Sequence, residues 1–178
     1  AVPNSACIRA TFLEAVARFD EATNGCVKFI ELNVKSPQSL LVTAQDEQGC
    51  YSSLGYQLGS NNVMNLGVGC RNVGTVMHLL GHVLGLAHED QRPDAQNHVR
   101  VSDNNIDVLS MSSSSLIDPR TTRKYHFMFK PFTNTQTKWE TVSAKFPYQY
   151  GSLMHNAKSS YSVDISNEHT ISGKLSSQ

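Results

Sequence analysis

The stretch His78-Leu79-Leu80-Gly81-His82-Val83-Leu84-Gly85-Leu86-Ala87-His88-Glu89 decides how this chain is read. Val73–Leu84 is predicted as a helix, flanked by Gly74 and Gly85. A spacing of four residues puts His78 and His82 on one helix face, one turn apart, where a single ion reaches both imidazoles. A glycine at position 85 can take a left-handed backbone and end the helix sharply. The chain then turns back, and His88 arrives as a third nitrogen donor. Three histidines leave a tetrahedral zinc ion one open position for water or a substrate oxygen. Two histidines alone on a helix would as readily be satisfied core or surface groups. The full pattern His-x-x-x-His-x-x-Gly-x-x-His selects the metal site over that reading.

Outward from this segment, the chain of 178 residues is long enough for one domain with a real core. Lys plus Arg and Asp plus Glu number 15 each, so the formal net charge is zero and no basic surface points to nucleic acid. Charged residues make up only 17%, and Ser, Thr, Asn and Gln carry much of the polarity, which fits a secreted domain. No apolar run approaches the length of a membrane span. The chain starts at Ala1 without a signal-like stretch, which reads as a mature or excised segment. The four cysteines, Cys7, Cys26, Cys50 and Cys70, are an even set compatible with two disulfides and an oxidising compartment. Free buried thiols are the alternative. No C-x-x-C pair is present, so neither a zinc knuckle nor a redox motif is expected.

Ala6–Ala22 is predicted as a helix, with Ile8, Phe12, Val16 and Phe19 forming an apolar stripe and Asn24-Gly25 a stop. Cys26–Val34 and Ser39–Thr43 are predicted as strands, Tyr51–Leu58 as loops, and Asn62–Leu66 as a short strand. Ser102–Leu109 is predicted as a helix capped by Ser102. Ser110–Ser115 reads as a Ser-rich turn. Asp118–Lys138 reads as irregular, with Tyr125, Phe127, Phe129 and Phe132 available to pack on a core. The tail, Ser159–Gln178, is polar and weakly patterned.

The histidine segment resembles the extended zinc motif of the metzincins, and within them of the astacin family. That family continues its third histidine with a glutamate, an arginine and an aspartate at fixed spacing, where Glu89, Arg92 and Asp94 stand here. Asn97–Ile106 resembles the family's lead into its next helix. Ser152-Leu153-Met154-His155 resembles its Met-turn, and Phe146–Gly151, with Tyr148 and Tyr150, fits the approach to it. Cys50 and Cys70 match a family disulfide, and Cys26 matches the cysteine after the first long helix. The likeness runs from about Ala6 to Tyr161.

The resemblance implies an α+β, zincin-like fold of two subdomains. The upper one would hold a twisted sheet and the zinc helix, the lower one His88 and the Met-turn, and a cleft between them would hold Zn2+ on its floor. It implies His78, His82 and His88 as ligands, Met154 as an apolar floor beneath them, Gly85 as the turn, and a Cys50–Cys70 bridge. Glu89 would face away from the catalytic water. Residues 1–178 would form a single astacin-like domain lacking the family's first strand and its last helix, whose cysteine pairs with the one matching Cys26. Cys7 has no family counterpart, and a Cys7–Cys26 bridge would span the whole first helix, which disulfide geometry disfavours.

Two positions depart from the family. Its catalytic glutamate, which takes a proton from zinc-bound water and passes it to the leaving amine, is Leu79 here, expected to turn only methyl groups toward that water. Its tyrosine two residues after the Met-turn methionine is Asn156, a shorter group. The ligands themselves remain, so zinc binding is expected without efficient hydrolysis. The reading is a secreted, zinc-binding pseudopeptidase with a binding or structural role, taking a peptide or protein ligand in the cleft, with Asn62–Leu66 as the candidate edge strand. No nucleic-acid or membrane partner is expected. The alternatives are an active zinc metalloendopeptidase, with Glu89 or Asp90 as a substitute base, and a purely structural zinc domain.

Overall fold

Helix α1, Ala6–Ala22, forms where apolar residues recur at helical spacing, and it buries Ile8, Phe12, Ala15 and Phe19. Ala15 supplies the seam position next to the expected Val16, which is only half-buried against the same cluster. In this computed structural model, residues 6–33, 36, 38–45, 49–58, 62–106, 145–162, 164, 166 and 169–174 are described. The chain divides into two compact units, Ala1–Ala87 and His88–Gln178, a boundary that falls inside the histidine segment. Helices and mixed sheets together make an α+β fold of the zincin kind.

In the first unit, three strands order as β1-β3-β2: β1 is Leu40–Thr43, β2 Cys50–Ser52 and β3 Asn62–Leu66. β3 runs parallel to β1 and antiparallel to β2. Asn62–Leu66 is therefore a strand as predicted but the central one, not an edge. Its side chains explain the position: Met64, Asn65 and Leu66 are fully buried, and the Asn65 amide bonds Thr43, Gln45 and Gly49 on both flanks. The predicted loop 51–58 contributes most of β2. A Cys50–Cys70 disulfide closes this sheet onto the approach to α2, Val73–Val83.

The core of this unit joins α1 and α2 to the sheet through Phe12, Phe19, Met64, Leu66, Val76, Leu79 and Leu80. Of the predicted strand Cys26–Val34, residues 26–33 form no strand and Val34 lies outside the described residues. Val27 and Phe29 do face inward, Phe29 edge-on to Phe19 at 6.1 Å, but Ile30 is 81% exposed. Among the described residues no strand pairs with this segment, and alternation alone makes no ladder. Cys7 and Cys26 are exposed and unbridged.

In the second unit, short 3-10 turns at Glu89–Gln91 and Ala95–Asn97 precede β4, Val99–Val101, which pairs antiparallel with β5, Ile171–Gly173. β5 lies in the tail read as weakly patterned; a three-residue strand is too short to print a period. Ala95, Val99, Ile106, Tyr148 and Ile171 form its apolar cluster. Of the predicted helix Ser102–Leu109, residues Asp103–Asn105 make a 3-10 turn and 107–109 lie outside the described residues. The Ser-rich turn at 110–115 and the aromatic segment 118–138 also lie outside them. Among the described residues, no helix is long and apolar enough to cross a membrane.

Candidate metal centre

Helix α2 begins at Asn72, whose side-chain oxygen accepts the Thr75 amide at 2.9 Å and so satisfies an otherwise orphaned donor. Its inward face buries Val76, Leu79 and Leu80, while His78 and His82 are half-buried. Leu79 is 4% exposed and belongs to the apolar core of the first unit. There its side chain packs among apolar neighbours and offers no proton acceptor. Its carbonyl also accepts the Ser52 hydroxyl of β2 at 3.1 Å.

The helix ends as its sequence requires. The Leu86 amide reaches back to the Gly81 carbonyl at 3.0 Å, and the Gly85 amide to the His82 carbonyl at 2.8 Å, with Gly85 at φ +93°. This pair of hydrogen bonds around a left-handed glycine is a Schellman close. The His82 carbonyl also accepts the Gly55 amide at 2.8 Å, and a Cβ on Gly55 would lie 3.6 Å from the Gly85 Cα.

The same turn prepares the second histidine. The Leu86 carbonyl lies 2.7 Å from His82 Nδ1, so Nδ1–H donates and Nε2 carries the lone pair suited to an ion. Burial lowers the pKa of His82, and the neighbouring His78 lowers it further against the opposing pull of that carbonyl. A neutral imidazole is the form that binds a metal. The His78 and His82 rings meet edge-on at 4.5 Å. One nitrogen from each of His78, His82 and His88 lies within 4.8 Å of the others. Three imidazoles at this spacing are a donor set for zinc.

His88 opens the second unit and is held there by long-range polar bonds. The Glu89 amide donates to the Met154 carbonyl at 2.9 Å. Met154 is buried within the turn Ser152–His155, closed by the His155 amide on the Ser152 carbonyl at 3.0 Å. The Arg92 guanidinium grips Asp94 with two bonds of 2.9 Å, and reaches Glu89 at 2.9 Å and the carbonyls of Phe146 and Pro147 at 2.7 and 3.2 Å. Glu89 also accepts the Gln149 amide at 2.9 Å. Both Glu89 oxygen contacts therefore brace the approach to the Met-turn. Tyr148, beneath Arg92, donates to or accepts from His155 Nε2 at 2.8 Å. Burial, then the Asp90 and Glu89 carboxylates, push the Tyr148 phenol pKa up.

Asn156 occupies the last position singled out in the sequence. Its backbone and side-chain N–H groups both donate to Asp90, each at 3.0 Å, and its side-chain nitrogen lies 3.3 Å from His88 Nδ1. Asp90 is 2% exposed, and the sequence offers it only as an alternative substitute base beside Glu89. An aspartate in a 3-10 turn has no local signature of a partner 66 residues away.

These observations agree with the family comparison: residues 4–178 match the family described as Astacin, a peptidase family. The chain belongs to the astacin family. Its similar relatives include the zinc metalloproteinase nas-36 of Brugia malayi, 31% identical over 142 residues, which are 80% of this chain and 21% of that protein. Another is Tolloid-like protein 2 of Homo sapiens, 30% identical over 157 residues, 88% of this chain and 13% of that protein. The chain thus spans about a fifth or less of the length of these relatives. Among solved structures, the high choriolytic enzyme 1, a hatching enzyme zinc-protease of Oryzias latipes, matches 97% of this chain and 74% of its own with a TM-score of 0.69. At 24% identity, that likeness speaks for the fold.

Proposed function

We propose that this astacin domain is a secreted zinc-binding pseudopeptidase, a protein that keeps the metal ligands and has given up hydrolysis. The observation that carries the reading is Leu79, which follows the first ligand and is buried among apolar side chains. It has no atom that accepts a proton, and general acid–base catalysis contributes about 10²–10⁴-fold to such reactions. Asn156 supports the same reading, because its amide is engaged with Asp90. His78, His82 and His88 would hold the ion, which when bound acidifies water and polarises a carbonyl oxygen. The Cys50–Cys70 bridge fits an extracellular setting.

The ligand is proposed to be an extended peptide or protein segment. β2 ends the strand order among the described strands and offers main-chain groups for strand addition.

Cleavage of casein and of quenched peptides by zinc-loaded protein, with bound metal quantified in the same sample, tests the proposal. The expected result is one zinc per chain and no cleavage above a chelated control. Zinc-dependent cleavage that disappears in His82→Ala would overturn it in favour of the second reading, an active endopeptidase, for which the converging histidines speak. Unfolding on chelation alone would point to the structural zinc domain.

A further inference from the structure

The second and third histidines are oriented by opposite kinds of neighbour. His82 Nδ1 faces a carbonyl oxygen, an acceptor. His88 Nδ1 faces the side-chain nitrogen of Asn156 at 3.3 Å. The direction of that amide follows from Asp90. Its two oxygens take the backbone and side-chain N–H groups of Asn156 at 3.0 Å each, so the amide oxygen is turned away from the carboxylate. An amide nitrogen only donates. With one hydrogen given to Asp90, the other is what the amide offers to His88 Nδ1 at 3.3 Å, a contact that Nδ1 can make only as an acceptor.

A neutral imidazole that accepts at Nδ1 carries its proton on Nε2. A histidine that binds a metal through Nε2 needs the opposite arrangement, with Nδ1–H donating to an oxygen, as His82 has it. We propose that Asp90 and Asn156 are positioning residues that hold His88 in the tautomer unsuited to the ion, and so set the zinc affinity of this domain below what its three histidines could reach. The inference rests on the zinc-site reading above and goes beyond it, because it assigns a positioning role to the buried Asp90 carboxylate. It also predicts that the centre exchanges its metal readily.

Two measurements on the full chain test this. Long-range 15N–1H correlation on the metal-free protein reads the ring tautomers directly, with expected protons on Nε2 in His88 and on Nδ1 in His82. Zinc titration against a competing chelator dye then compares the native chain with Asp90→Asn and Asn156→Ala. Asp90→Asn keeps the volume and allows the Asn156 amide to turn its oxygen to His88; Asn156→Ala removes the donor. Each is expected to bind zinc about tenfold tighter, the lower end of what partners of metal-bound histidines contribute, and to move the His88 proton to Nδ1. Equal or weaker binding in the folded variants, or Nδ1–H already present on His88 of the native chain, overturns the proposal. His82→Ala separates the two claims. If it leaves zinc binding intact, the metal-centre reading fails, while the His88 tautomer still decides this one.

Discussion

The two units keep their shape by different means. In the first, buried groups are mostly apolar: Ile8, Phe12, Met64, Leu66, Val76 and Leu80 form one cluster from two helices and a sheet. In the second, Asp90, Gln91, Arg92, Ser162 and Thr170 are buried beside a smaller apolar cluster. Apolar burial is non-directional and tolerates small shifts, at about 25 cal/mol per Å². A buried guanidinium shared by two carboxylates and two carbonyls is directional, and leaves costly unpaired groups if one partner goes. The candidate ligands are held by both means, each in its own unit. The helix that carries His78 and His82 is placed by packing, while the turn after His88 is placed by hydrogen bonds.

The second unit should show one of the largest effects. Arg92→Ala would strand Glu89 and Asp94, whose side chains are part-buried at 15% and 30% exposure, and is expected to cost about 3 kcal/mol in a urea melt, the lower end for loss of one partner of a buried pair. Arg92→Lys keeps the charge but not the two-pronged grip, and should recover only part of that loss. An equal melt for Arg92→Ala and the native chain would break the contrast. Leu80→Ala probes the first unit's packing, with an expected loss of about 3 kcal/mol. Cys50→Ser with Cys70→Ser opens a loop of separation 20 and should cost about 3 kcal/mol, read as a lower melting temperature matched by reducing the native chain. Gly85→Ala forces a Cβ into the left-handed region at a cost of about 1–2 kcal/mol. It should also weaken zinc binding, because the Leu86 carbonyl that orients His82 belongs to the same turn. Asn72→Ala removes the α2 cap and should cost about 1 kcal/mol with zinc affinity unchanged, which sharpens the distinction between the two ends of one helix.

Legibility followed the same division. α1, β1, β3 and α2 were readable because each carries its period or its stop within a dozen residues, and Gly85 marks its own turn. β2 was not, since Cys50-Tyr51-Ser52 alternates too briefly to register and pairs only because β3 lies beside it. Residues 26–33 show the reverse, an alternating pattern that no strand among the described residues receives. Around the candidate centre, the three histidines, Glu89, Arg92 and Met154 were all visible in the chain, as was the Cys50–Cys70 pair of the sheet, all but the histidines through family likeness.

By itself, then, the sequence determined which atoms can hold a metal, which glycine turns the chain between them, and that Leu79 offers no proton acceptor. Tertiary structure decided what the remaining residues do. It put Leu79 into the core, made Asn62–Leu66 a central strand, and joined Asp90 to Asn156 behind His88. The reason is range. Donor type and helical spacing are written in neighbouring residues, whereas a hydrogen bond between positions 66 apart depends on how the whole intervening chain folds back.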